Sequence, residues 1–346
     1  ESLMDSDNHL QALEVLGVPV SPYTRKILAL LRYRHIPYRV IWGSHMDPPA
    51  GYPTPKVKLI PTVYLNTLEG KEAMVDSTPI IDRLEALHAE RSVRPSDEVL
   101  RFLDLLIEDY ADEWLTKAMF HYRWNFSPDA KNAAPLIAYG QNIQFDALSA
   151  KTMADSFSKR QISRLALVGS NSITAPVIES SFRRLIEILD RIIERHGFII
   201  GARPASADFA IYGQLTQLGI IDPTSAQLLV SVSPRLRAWI DRVEDLSGHG
   251  DSEWLEHESI AAHLQELLQE IGRTYVPFLI ANASAFADGK TELDTTIDGQ
   301  RWVQPVFPYQ VKCLENLQQE KNKMTPDGQV ALSKLFTRTG CELLFT

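Results

Sequence analysis

The pattern of apolar and polar positions changes its period once, near residue 90. Before that point short runs dominate. Residues 13–20, LEVLGVPV, form a strand-like apolar run that ends in a proline-bearing turn. TRKILALLRYRH follows, and its Ile27, Leu28, Leu30 and Leu31 fall on one helical face. Pro37 then opens PYRVIWG, a run rich in β-branched and aromatic residues, and a loop with five prolines from Pro48 to Pro61 leads onward. TVYLN (62–66) and AMVD (73–76) lie close enough to pair as an antiparallel hairpin, and Ile80, Ile81, Leu84 and Leu87 predict a helix from Thr78 to about Ala89. The order β-α-β-β-β-α predicts a mixed sheet with helices on its faces over residues 10–90.

Beyond that unit the period is helical. Residues 97–246 read as a separate all-α domain, with SFRRLIEILDRIIERHGF (181–198) the clearest amphipathic stretch and His196-Gly197 as its stop. RSVRPSDE (91–98) reads as the linker, with Ser96 as the cap of the next helix. Residues 247–346 form an extension expected to pack on the helical domain. It reads as a helix near 255–271, a hairpin at Asp298-Gly299 and a helix near 308–322.

The chain has 346 residues, 45% hydrophobic and 23% charged, a balance that predicts a folded protein of about two domains. Thirty-five basic against 44 acidic residues leave −9, which argues against nucleic-acid binding. The longest weakly polar stretch, Tyr275 to Ala287, is too short to span a bilayer, so no membrane role is expected. ESLMDSDN at the start is acidic where a signal peptide would be basic. Together with only two cysteines, Cys313 and Cys341, read as inert packing, this predicts a cytoplasmic protein without a disulfide framework. The histidines show no His-x-x-x-His pair, and no metal is expected.

Three segments carry chemistry. In Val18-Pro19-Val20-Ser21-Pro22-Tyr23-Thr24 a strand gives way to a helix, so free N–H groups and the positive end of the helix dipole converge near Ser21, attractive to an anion such as a thiolate. The plainer reading is a helix cap. Leu59-Ile60-Pro61-Thr62 places a candidate cis proline before a strand, where the Ile60 backbone would offer a pairing edge to a peptide-like ligand; an ordinary strand-entry proline is the alternative. Val75-Asp76-Ser77-Thr78-Pro79 places a carboxylate and a hydroxyl at a helix start, by itself a plain cap.

Together with HGFIIGARPASADFAIYGQL (196–215), these motifs resemble the cytosolic glutathione S-transferase superfamily over about residues 10–245. The resemblance implies an α/β thioredoxin-like N-terminal domain, an all-α C-terminal domain and a homodimer, with the mixed C-terminal extension lying outside it. It implies glutathione as co-substrate: Ser21 facing the sulfur, with Tyr23 a competing hydroxyl, Ile60 and Pro61 at the cysteinyl backbone, and Asp76 and Ser77 at the γ-glutamyl end. Ser21 and Thr24 stand where disulfide exchange would need Cys-x-x-Cys, which excludes that redox chemistry here and leaves conjugation, isomerisation or dehalogenation.

The acceptor, an electrophilic, apolar or aromatic small molecule, is expected between the domains against EDYADEWLTKAMFHYRWNF (108–126). Trp114, Tyr122, Arg123 and Trp124 are the pocket candidates, with Arg123 or His121 available to an acidic group, and core packing is the alternative. The family's usual Ser or Thr three residues before the capping aspartate is Ala205 here, ahead of Asp208, so half of a capping box should be lost unless Ser206 substitutes. GQRWVQPVFPYQVKC (299–313) either folds across the interdomain cleft or forms an outer layer. A second function reading is a non-catalytic protein of the same fold that binds a ligand or partner through the extension and the aromatic helix.

Overall fold

The computed structural model describes residues 12–346; the acidic segment ESLMDSDN and the first two positions of the 10–90 unit lie outside the described residues. Four strands form a mixed sheet of order β2-β1-β3-β4: β1 (Leu13–Gly17), β2 (Tyr38–Trp42), β3 (Thr62–Thr67) and β4 (Gly70–Met74). β1 runs parallel to β2, with Val15 opposite Val40, and antiparallel to β3, with Val15 opposite Val63. Helix α1 (Pro22–Arg34) makes the crossover, burying Ile27, Leu28, Leu30 and Leu31, and α2 (Ser77–Leu87) closes a thioredoxin-like unit.

The helical half begins at α3 (Glu98–Tyr110). Asp97, not Ser96, caps it: the carboxylate, stronger than a hydroxyl as an acceptor, takes the N–H groups of both Val99 and Leu100. The helix widens into a π turn at Ala111–Leu115 and continues as α4 (Thr116–Asn125). There follow α5 (Ser127–Gln141), α6 (Ala147–Ile162), α7 (Ala175–His196), α8 (Ser206–Thr216), α9 (Pro223–Val232) and α10 (Pro234–Val243). Gly197 ends α7 at φ 89°, a left-handed stop.

At the centre of this half, α8 lies against α1. Gly213 lets them approach, since a Cβ there would run into the carbonyl of Pro22. The expected loss at Ala205 is half right. Asp208 still accepts from the Ala205 N–H at 2.8 Å, and Asp104 of α3 accepts from the Ala207 N–H at 2.8 Å. A carboxylate from another helix thus does part of the work of the missing hydroxyl.

The extension contains α11 (His257–Arg273), the hairpin β5 (Glu292–Ile297) and β6 (Gln300–Pro305) and α13 (Pro308–Asn322), plus α12 (Tyr275–Ala287) and α14 (Pro326–Phe336), for which no helix was expected. Tyr275–Ala287 is apolar nearly all round, down to the half-exposed Phe286, and so it shows no helical stripe. The extension covers one side of the α3–α4 rod. Phe102 meets Phe336 and Phe345, Tyr275 donates to Asp109 at 2.5 Å, and Trp114 faces Trp302 with ring centroids 5.2 Å apart. Among the described residues no helix is long and apolar enough to cross a membrane.

Candidate functional site

The turn between β1 and α1 is tightly fixed. The Ser21 N–H donates to the Val18 carbonyl at 3.2 Å, Pro22 occupies the first helical turn, and Ser21 Oγ accepts the Thr24 N–H at 3.2 Å. Ser21 is therefore the cap of α1, and accepting that bond leaves its own proton to donate. The two carbonyls before it are held from the helical half: Arg123 donates to Val20 O at 3.2 Å, and Gln217 to Pro19 O at 3.3 Å.

Arg123 is consequently not available to an acidic acceptor. Its Nε reaches both oxygens of buried Asp222 at 2.9 and 3.1 Å, and it also donates to Gln217 at 2.6 Å. His121 is likewise enclosed, between Ser170 at 2.7 Å and Glu179 at 2.9 Å. The polar tips that argued for a pocket have found partners within the fold.

The aromatic candidates separate into two groups. Trp114 donates to Ser181 Oγ at 2.9 Å and packs on Phe278 and Trp302 of the extension, while Tyr122 stacks on Phe126 and meets Phe182; both belong to the main core. Trp124 instead shares a cluster with Val20, Ala130, Ala133 and Ile137, next in sequence to Ser21. It also lines a cavity of about 680 Å³ between α5 and α6, with Ala130, Ala134, Tyr139 and Ala154 on the walls and Lys131 and Lys151 beside it. Helical spacing alone carries no sign of which aromatic faces which side.

Tyr23 turns toward the π segment. Its phenol donates to the Asp112 carbonyl at 2.7 Å and reaches Thr116 Oγ1 at 3.3 Å; burial, then Glu113 and Asp112, raise its pKa well above the usual tyrosine value. It braces the domain seam, while the Ser21 hydroxyl stays at the turn.

Across from the turn, the Ile60–Pro61 peptide is cis, and β3 begins at Thr62, so Ile60 lies just outside the ladder that pairs Leu16 with Thr62. Asp76 departs from the plain cap expected: its φ is 72° and its side chain makes no bond to the helix start. Ser77 is buried and its Oγ accepts from Lys26 Nζ at 2.9 Å.

Lys26 is a site residue the sequence reading missed. Buried at the seam of the two domains, it also bonds Glu108 at 2.9 Å and Asp112 at 2.7 Å. Burial opposes its charge, but the attraction of Asp112 and Glu108 outweighs burial and raises its pKa. Glu108 continues the network to Arg94, which also bonds Asp82, Asp104 and Ser206. The available signal was Glu108, Asp109, Asp112 and Glu113, four acids within six residues of an otherwise apolar helix.

Comparison with known proteins follows the same division. Residues 15–92 match the model of the glutathione S-transferase N-terminal domain, and residues 161–242 the model of its C-terminal domain. No curated protein matches the sequence. Solved structures to which the chain is similar include a Tau class glutathione S-transferase from mango, 18% identical over 67% of this chain and 88% of that one, with a TM-score of 0.40. A GST-like protein from Pseudomonas syringae is 16% identical over 71% and 77%, with a TM-score of 0.41. A glutathione transferase family member from Pseudomonas fluorescens with bound S-(propanoic acid)-glutathione is 18% identical over 70% and 100%, with a TM-score of 0.38. With the N-terminal and C-terminal domain models matched in that order, on a thioredoxin-like sheet followed by helices, the chain belongs to the glutathione S-transferase superfamily.

Proposed function

We propose that this protein is a glutathione-dependent transferase that holds the tripeptide's sulfur as a thiolate beside Ser21 and presents it to an electrophilic, apolar or aromatic small molecule. The observation that carries the reading is the turn itself: a serine hydroxyl with a free proton at the N-terminus of a 13-residue helix, opposite a backbone edge at Ile60. A hydroxyl donor and the helix dipole both favour RS⁻ over RSH. Lowering a thiol pKa from about 8.5 to about 6.5 requires roughly 2.7 kcal/mol. One charge-assisted hydrogen bond of about 1.5–3 kcal/mol and a dipole contribution of about 0.3–1 kcal/mol supply it.

In this reading the backbone of Ile60 pairs with the cysteinyl residue, Pro61 shapes that edge, and Asp76 and Ser77 hold the γ-glutamyl end. The thiolate lone pair forms a C–S bond to the acceptor, and the displaced group leaves with the electron pair of the bond that breaks. Of the four pocket candidates, Trp124 is the one whose cluster includes Val20, the residue before Ser21, so it is the one retained for the acceptor.

Turnover with glutathione and an activated aryl chloride tests this. Ser21→Ala should lower the rate at pH 7 about fivefold to fifteenfold, the fall in thiolate fraction when the hydroxyl is lost and only the dipole contribution of about 0.3–1 kcal/mol remains, and should also cost about 1 kcal/mol of stability through the lost cap. Ser21→Asp keeps a capping oxygen but sets a like charge against the thiolate, so it should fold normally and be nearly inactive. Turnover within twofold of the native enzyme in both variants would remove Ser21 from the mechanism.

A further inference from the structure

The extension enters the site at one point. Tyr309, at the start of α13, donates its phenol O–H to Asp76 Oδ2 at 2.9 Å across 233 residues of sequence. Its neighbour Gln310, buried, donates to Glu113 Oε2 at 2.9 Å. Tyr309 is 47% exposed, so the ring stands at the mouth of the site. Its pKa is raised by partial burial and then by the charges of Asp76 and Glu113, which keeps it a donor over the working pH range.

Two features of Asp76 set its carboxylate apart from an ordinary helix cap. Its backbone sits at φ 72°, where a non-glycine residue is uncommon, and its side chain does not cap the helix it precedes. A carboxylate has about four acceptor directions. Tyr309 uses one, on Oδ2, and leaves Oδ1 to a ligand.

The surroundings favour a cation there. Asp112 and Glu113 are close enough to feel the charge of Asp76, and buried Asp112 Oδ1 and Gln310 Oε1 have no hydrogen-bond partner among the described residues. Of the buried amines by this wall, Lys26 is already committed to Glu108, Asp112 and Ser77, and Lys117, which feels the charge of Glu113, is bonded to the Val168 carbonyl. Negative potential with unmatched acceptors attracts a positive group brought by a ligand.

We propose that Tyr309 is a positioning and specificity residue of the thiol site: by fixing Asp76 Oδ2 it presents Oδ1 to the α-ammonium of a γ-glutamyl thiol. The C-terminal extension thereby selects ligands that carry that primary ammonium. The inference rests on the glutathione reading above and adds to it a residue from outside both matched domains.

Calorimetric titration of the full chain with glutathione, and with the analogue lacking the γ-glutamyl amino group, tests it. The native protein should bind glutathione at least about tenfold more tightly than the analogue, the effect of one charge-assisted hydrogen bond. Tyr309→Phe removes one oxygen from a partly exposed ring and should weaken glutathione about fivefold to tenfold while leaving the analogue unchanged. Asp76→Asn should abolish the preference between the two. If the native protein binds neither compound at millimolar concentration, the glutathione reading falls and this inference with it. If glutathione binds the native protein and Tyr309→Phe equally, or if Tyr309→Phe weakens both ligands alike, the site stands and the positioning role of Tyr309 is overturned.

Discussion

Lys26 and Lys117 are buried almost equally, at 1% and 3% exposure, and the fold treats them in opposite ways. Lys26 lies where the thioredoxin-like domain meets the helices and has three oxygen partners within 2.9 Å, two of them carboxylates. Lys117 lies where the helices meet the extension. It finds the Val168 carbonyl at 3.1 Å, the Gln304 amide at 3.4 Å and the Phe278 ring face at 4.1 Å. Burial pushes its pKa down to about 7, with Glu113 opposing from farther away. The first seam is joined by matched charges; the second is joined by Trp114, Phe278 and Trp302 and encloses an amine that has no bonded carboxylate partner among the described residues.

The largest effect should come from breaking the first seam. Lys26→Met leaves Glu108 and Asp112 without their shared ammonium, and a buried pair that loses one member costs about 3–5 kcal/mol. A fall of that size in urea-unfolding free energy is expected, and native stability in this variant would erase the contrast.

A smaller effect of opposite sign is expected at the second seam. Lys117→Met replaces a poorly matched amine with a side chain of similar shape and should stabilise the protein at pH 7 by about 1–3 kcal/mol. The pH dependence sharpens this. With a folded pKa near 7 against an ordinary 10.5, the unfolded chain binds more protons through that window, so native stability rises with pH relative to the variant. Melting curves should show the gap closing as pH approaches 10. A gap that stays constant would mean Lys117 is charged in the fold.

The same contrast explains what could be read from sequence. The sheet unit and its hairpin were legible because short runs with period two, separated by turn residues, are local signals, and the serine turn was legible because it adjoins its own strand and helix. Lys26 was hidden inside TRKILALLRYRH because its partners Glu108 and Asp112 lie more than 80 residues away. Arg123 was misread for the same reason: an arginine among aromatics suggests a ligand until Asp222 is seen beside it. Helix α12 escaped because apolar residues such as Ile280 and Phe286 also occupy its less buried face, which removes the amphipathic period. The Tyr309–Asp76 contact joins distant ends of the chain, and no local pattern marks it.

The thiolate at Ser21 underlies the functional account, and it is observed by titrating the ultraviolet absorbance of glutathione bound to the full-length protein. A midpoint near pH 6.5, about two units below that of the free thiol, is the expected result. A midpoint unchanged from the free thiol, at about 8.5, would contradict it.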